Sequence, residues 1–268
     1  MKYTLKFATT LLAAAVLSAC GNDKPEATAP TAAPEAGSAS AEKQIRIATE
    51  SNFKPFSYLD TQGNLAGFEI DLANALCEEM KAKCEIVSQD WDSLIPSLQA
   101  NKVDAIMAGM SITEERLKVV DFSEPYFDNT LVLIGKKGDP TTINDIAGKT
   151  VATQQATVSA DYLAKNYPQA TVKTYDKQDN AYLDLTAGRA ELMLSDIMPV
   201  TDWLTTEQGQ GFEIKGEPID IGDIVGIAVR KDDAELKASF NAALASLKAN
   251  GKYAEIAAKH LGDTVKAQ

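Results

Sequence analysis

The sequence predicts an α/β protein of two lobes, each built on a mostly parallel sheet flanked by helices. Three observations point there. From Gln44 to His260 short apolar runs alternate with segments of helical period, the pattern of strands joined by helical crossovers. Leu98–Gly109 can be laid over Leu185–Asp196 position by position in residue character. Ala48-Thr49-Glu50 recurs in the same order as Ala152-Thr153-Gln154, so the architecture reads as duplicated.

The elements follow in order. Gln44–Thr49 alternates as a strand, Glu50–Tyr58 is a loop holding Pro55, and Asp60–Gly63 is a turn. Phe68–Lys81 has helical periodicity, Glu85–Gln89 is a strand and Trp91–Ala100 a helix. Val103–Ala108 is short and apolar, a buried strand, after which Gly109 lets the chain turn. Thr113 followed by Glu114 and Glu115 starts a helix with acids in its first turn. Leu131–Lys136 is the next strand, and the pattern then restarts. Strands at Lys149–Thr153, Thr171–Tyr175 and Ala190–Leu194 alternate with helices at Ser159–Asn166, Gln178–Gly188 and Pro199–Thr206. A strand at Ile224–Arg230 and amphipathic helices at Ala234–Ala249 and Tyr253–His260 close the chain.

Ahead of this lies an export segment. Lys2 and Lys6 precede an apolar core at Phe7–Leu17, too short to span a membrane, and Leu17-Ser18-Ala19-Cys20 ends it like a bacterial lipobox. Cleavage after residue 19 and lipid on Cys20 are expected. Residues 20–43, rich in Ala, Pro, Ser, Thr and Glu, read as a disordered tether. Losing the two lysines takes the net charge from −12 to −14. So acidic a chain lacks the basic footprint of a nucleic-acid binder. Nothing after residue 20 is long and apolar enough to cross a bilayer.

Cys77 and Cys84 remain. Seven residues apart on one helix they would stand roughly 10 Å from each other, too far to bond. If the helix ends before Cys84 enters the next strand, the chain folds back and a structural disulfide becomes feasible, as an oxidising compartment favours.

The duplicated pattern puts Glu50, Gly109, Gln154 and Asp196 at the C-terminal ends of strands, where open α/β sheets bind ligands. Facing lobes would bring these loops together across a cleft. Arg116 sits in a helix first turn, where the dipole opposes a cation, and with the helix start at Thr157–Ala160 it offers donors for a carboxylate. Asp196, the Gly109 carbonyl and the Ser111 hydroxyl offer acceptors for an ammonium. Phe53 and Trp91 suit an aliphatic or planar side chain, and Glu50 an amide or cation at its far end. Singly, each has a plainer use: core aromatics, a helix cap at Asp196, a solvated loop acid at Glu50. Together they are the parts of an L-amino-acid site. Catalysis has little to work with. The one histidine, His260, lies on a lysine-bearing C-terminal helix and reads as exposed, and no P-loop, GxGxxG or zinc motif occurs. A carboxylate acid/base enzyme using Glu50 or Asp196 is the alternative, and a sensing or adhesion module a third.

Gly67-Phe-Glu-Ile-Asp-Leu72, Asp92-Ser-Leu-Ile-Pro-Ser-Leu98, Met107–Thr113 through Arg116, Phe122-Ser-Glu-Pro-Tyr126 and Gly251-Lys-Tyr253 stand in one order. With them the region from Gln44 onward resembles the polar-amino-acid (family 3) substrate-binding proteins of bacterial ABC importers. The resemblance implies a type II periplasmic-binding-protein fold with two crossing hinge strands, near Tyr126–Thr130 and Ile221–Val225. One lobe would comprise 44–127 with 225–268, and the other 128–224. It also implies an L-amino-acid ligand, a membrane permease as partner, a lipid-anchored monomer with no cofactor, and no catalysis of its own. Under it Arg116 clamps the α-carboxylate with help from Thr157, and Asp196, Gly109 and Ser111 hold the ammonium. Phe53 and Trp91 pack the side chain and Glu50 reads its end. Cys77 and Cys84 match a disulfide of the basic-amino-acid branch. A dehydratase on the same fold is the enzymatic counterpart. The turn Gln155-Ala-Thr-Val158 lacks the family's glycine, and the loop before Gly226 lacks the Gly-Thr-Gly of arginine binders. Glu50 and Glu69 favour a basic ligand, whereas Ala108-Gly109 is shared with glutamine binders. Glutamine and arginine or lysine stand level.

Overall fold

The computed structural model describes residues 44–262. The expected leader, Cys20 and the whole of the tether lie outside them. The chain starts with β1 (Gln44–Thr49), the short strands β2 (Asn52–Phe53), β3 (Ser57–Leu59) and β4 (Leu65–Ala66), α1 (Phe68–Glu79) and β5 (Lys83–Ser88). A 3₁₀ turn at Trp91–Ser93 leads into α2 (Leu94–Gln99), followed by β6 (Ala105–Ile106), α3 (Glu114–Leu117), β7 (Asp121–Phe122) and β8 (Phe127–Lys136). Next come β9 (Thr150–Gln154), α4 (Val158–Asn166), β10 (Thr171–Tyr175), α5 (Gln178–Thr186), β11 (Leu192–Asp196) and α6 (Ile197–Leu204). The last elements are β12 (Phe212–Ile214), β13 (Ile219–Val225), β14 (Ala228–Val229), α7 (Ala234–Ala249) and α8 (Lys252–Leu261).

Two main sheets result, a two-lobed type II arrangement of mixed α/β layers. The first has the order β5-β1-β6-β14-β7 and the second β10-β9-β11-β8-β12, with β13 also on β8. Parallel pairing is confined to β5-β1-β6 and β10-β9-β11; the other strands add antiparallel. The two parallel triplets are the two copies foreseen from the repeat. Their internal bonds also correspond. Asp104 accepts from the Arg46 amide at 2.9 Å, and its counterpart Glu191 accepts from the Thr150 amide at 3.0 Å. Asn101 and Gly188, equivalent in the overlay, both turn with positive φ, 56° and 69°.

Both sheets are covered on both faces, which is why their strands read as nearly continuous apolar runs. Ile45 and Ile47 point to a core shared with Leu72 and Leu76 of α1, Phe240 and Leu244 of α7, and Ile256 of α8. Ala48 faces the opposite core with Leu94 and Leu98 of α2. In β8 Leu131 and Leu133 go to one face, and Val132 and Ile134 to the other, the two-residue period of a strand. The C-terminal helices thus pack against α1. The Cys77–Cys84 disulfide ties α1 to β5, with 6.1 Å between its Cα atoms, because the helix stops at Glu79 and the chain doubles back. Between the sheets β8 and β13 run antiparallel, pairing Phe127 with Val225 and Asn129 with Asp223.

Several boundaries differ from expectation. The supposed loop Glu50–Tyr58 contains β2 and the start of β3. Val103–Ala108 shortens to the two residues of β6, and Met107 beyond it is buried in the first sheet's core. Ile224–Arg230 is two strands, β13 and β14, on different sheets, because the chain crosses from one sheet to the other at Gly226-Ile227. Strands β7 and β12 were too short to register as periodic. His260 is corrected from exposed to largely covered: its side chain is 12% accessible and Nε2 lies 2.6 Å from Asp71, a contact set by the packing of α8 on α1. Among the described residues no helix is long and apolar enough to cross a membrane.

Candidate functional site

Glu50 follows β1 and Gln154 ends β9, and the two meet: Gln154 Nε2 donates to Glu50 Oε1 at 2.9 Å. Glu50 is only 2% exposed, so it is no solvated loop acid. Burial pushes its carboxyl up to about 7, against the Gln154 hydrogen bond. Its other charged neighbours are Asp179, Glu69 and Lys177.

Arg116 is placed by α3, whose first turn is capped by Thr113 Oγ1 accepting from the Arg116 amide at 3.2 Å. The guanidinium is half-buried and lies 5.3 Å from the Trp91 ring centroid, within cation–π range. It donates to the carbonyls of Ser111 at 2.8 Å and Ala156 at 3.0 Å. Ala156, in the turn Gln155–Val158, takes a left-handed φ of 54°, so the turn forms at some conformational cost. Burial pulls the Arg116 pKa down, and the carboxylates of Asp223, Asp161 and Asp196 oppose that.

Asp196 occupies the position before α6 but makes no side-chain bond to the helix amides. Its carboxyl is therefore not spent on the helix, which answers the helix-cap reading. Burial pushes it up to about 7, Asp223 adds to this, and Asn129 and Arg116 work the other way. Thr157 does cap its helix, accepting from the Ala160 amide at 3.3 Å while donating to the Gln154 carbonyl at 2.8 Å. Gly109 has φ +58° and a Cβ there would sit 2.6 Å from the Phe53 ring, so glycine alone suits the turn. Phe53 itself stacks on Phe56 with centroids 5.5 Å apart.

These groups share one space. One cavity is lined by Arg116, Trp91, Gly109 and Ser111 from the first sheet's loops, and by Thr157 and Asp196 from the second's. Glu50 and Phe53 complete the set named from sequence. Contacts between the two halves close over it: besides Glu50–Gln154 and Arg116–Ala156, Lys54 pairs with Asp202 at 3.2 Å and Lys177 with Asp90 at 3.0 Å.

Sequence reasoning missed Thr153, Gln178 and Ser195 in the lining. A signal for Gln178 existed: it stands three residues beyond β10, as Trp91 stands three beyond β5. Also missed was Asp223, which accepts from Asn129 Nδ2 at 2.8 Å and Ser111 Oγ at 3.2 Å just behind the cavity. Glu69, thought to favour a basic ligand, does not line the cavity; it accepts from the Gly109 amide at 2.6 Å and from the Tyr126 hydroxyl, fixing the glycine turn from behind. Among the described residues no group of three or more His, Cys, Asp or Glu is arranged to hold a metal ion.

The sequence matches the family of bacterial extracellular solute-binding proteins, family 3, over residues 45–263. The chain belongs to that family. Among similar family 3 proteins is the Escherichia coli (strain K12) ABC transporter arginine-binding protein 1, 38% identical over 220 residues, covering 81% of this chain and 90% of the relative. An ancestral arginine-binding protein bound to glutamine is 37% identical with a TM-score of 0.79, covering 83% of this chain and 100% of that one. The ancestral arginine-binding protein bound to arginine is 36% identical with a TM-score of 0.79, over 82% and 99% of the two chains. The fold of this family 3 solute-binding protein is thus that of its solved relatives.

Proposed function

We propose that the protein captures a polar L-amino acid outside the cytoplasm, between two lobes, and delivers it to the membrane permease of an ABC importer. One observation carries this reading: a guanidinium from one half of the chain and a carboxylate from the other, Arg116 and Asp196, line the same cavity. Burial works against the ionised form of each, so a ligand bringing a carboxylate and an ammonium relieves both. Glu50 belongs to the other end, because its charged neighbours are not those of Arg116. One guanidinium facing two carboxylates is complemented by a ligand of net charge +1, an amino acid with a basic side chain such as arginine or lysine. The arginine-binding relatives support the same assignment.

Glutamine is the second reading. Glu50 already accepts from an amide, Gln154, and its pKa of about 7 lets it sit neutral beside another. An ancestral relative bound to glutamine has the same fold. The lobes of this proposal, 44–127 with 225–268 and 128–224, would hinge at the β8–β13 pair, and binding would favour the closed arrangement. A lipid on Cys20 would hold the monomer at a membrane surface. Calorimetry of the purified protein against arginine, lysine, histidine and glutamine tests the assignment. Arginine or lysine is expected to bind tightest. Tightest binding of glutamine would replace the basic side chain, and no binding of any amino acid would remove the proposal.

A further inference from the structure

Beside the cavity runs a second, more open cleft, also built from both halves of the chain. Gln178 lines both spaces. It is 3% exposed and held at each end of its amide: Ser195 Oγ donates to Oε1 at 2.7 Å, and Nε2 donates to the Tyr182 hydroxyl at 3.0 Å. Ser195 faces the cavity and Tyr182 faces the cleft, so the hydrogen-bonded row crosses from one to the other. Tyr182 is stacked on Trp203 with ring centroids 4.4 Å apart and planes 7° from parallel, which fixes the far side of the row.

The neighbours of Gln178 in sequence locate it along the ligand axis. Lys177 and Asp179 are among the charged groups that act on Glu50, and Gln154, bonded to Glu50, also donates to the Asp176 carbonyl at 3.3 Å. The row therefore stands at the Glu50 end, where the proposed ligand's side chain would terminate.

We infer that Gln178 is a specificity-determining residue: it forms a partition between the amino-acid cavity and the adjoining cleft, and so sets the longest side chain the site accepts. This rests on the amino-acid reading above and deepens it. With the partition removed, the two spaces join, and ligands elongated at the side-chain terminus gain room without losing the carboxylate and ammonium contacts at Arg116 and Asp196. Because a well-packed interior tolerates no added methylene cheaply, the intact partition should exclude them.

The test compares two matched pairs by calorimetry, arginine with Nω-propyl-arginine and glutamine with N5-ethylglutamine, on the wild-type protein and on Gln178→Ala. The ratio of long to short affinity is expected to rise about 10-fold or more in Gln178→Ala, the scale of a few methylenes gaining or losing room. Gln178→Glu keeps the length of the partition and should keep the wild-type ratio. If Gln178→Ala fails to give a cooperative thermal transition, Gln178→Ser and Tyr182→Phe, which shorten or unpin the same side chain, are read in its place. A wild-type protein that binds arginine or glutamine while the ratio stays unmoved in every shortened variant overturns the partition and leaves the amino-acid reading intact. A wild-type protein that binds neither pair overturns the reading, and the partition with it.

Discussion

At the ends of β1 and β9 the chain places Glu50 and Gln154, repeat equivalents that hydrogen-bond to each other at 2.9 Å. Elsewhere the two halves agree in backbone and disagree in chemistry. Asp104 and Glu191 receive the same amides, and Asn101 and Gly188 make the same left-handed turn. Yet Trp91 stands where the second half has Gln178, and Gly109 where it has Asp196. The difference teaches how a duplicated scaffold becomes a binding site. The strand ends supply the positions twice, and divergence at those positions makes the two faces complementary instead of alike. One face brings the guanidinium, the glycine turn and the indole; the other brings the Asp196 carboxylate and the amides.

The largest effect should follow from removing the charge that makes the faces unlike. Arg116→Ala is expected to lose about 2–5 kcal/mol of ligand binding, because the ligand's carboxylate loses its cation and is left beside Asp223 and Asp196. Calorimetry reads this, and unchanged affinity would take the arginine out of the site. The first half also carries a crosslink that the second lacks. Replacing Cys77 and Cys84 by alanine should cost about 2.5 kcal/mol of stability on the loop-closure model for eight residues. Urea unfolding with and without the substitutions measures it, and the ligand affinity should stay put.

A smaller contrast tests the equivalence of the two acids that receive strand amides. Asp104 also binds the Arg46 guanidinium at 3.0 Å, and Arg230 stands nearby at 3.5 Å, whereas Glu191 has one lysine and a side chain 52% accessible. Asp104→Ala should cost about 1.5–3 kcal/mol and Glu191→Ala about 0.5–1.5, since the exposed pair is screened. Equal losses would mean that the shared amide bond, not the arginines, sets both.

A last test is in pH. Glu50 and Asp196 rise to about 7 from ordinary values of 4.5 and 3.8. Between those limits the folded, ligand-free protein holds protons that the unfolded chain has released. The contribution to stability is therefore full in acid and is lost as pH climbs toward 7. A ligand carrying cations favours the ionised carboxylates, so its binding should release protons near pH 6 and tighten as pH rises toward 8. Titrations in two buffers of different ionisation heat count those protons. Proton release from Asp196 alone would favour glutamine, beside which Glu50 can stay protonated. Affinity that is flat from pH 5.5 to 8 would break the link between the raised carboxyls and the ligand.

Much of this was legible in the chain. Strand and helix periods and the repeat could be named because each leaves a local mark: an apolar run, a turn glycine, an acid just past a strand. The eight lining residues were assigned together through the motifs of the family resemblance. The misses share a cause. Asp223 lies in β13 and acts through Asn129, 94 residues away, so nothing near it in sequence marks it. Glu69 sits in a helix first turn like any other acid, and only packing aims it at Gly109 and Tyr126. Gln178 looked like a helix start, and the cleft behind it has no counterpart in sequence.

By itself the sequence determined the order of elements, the duplicated plan and which chemical groups end the strands, since backbone preference and side-chain period act over a few residues. Only the tertiary structure decided what those groups do. Whether a carboxylate is solvated, capping or poised depends on what residues a hundred positions away leave it to bond, and on how much water they remove.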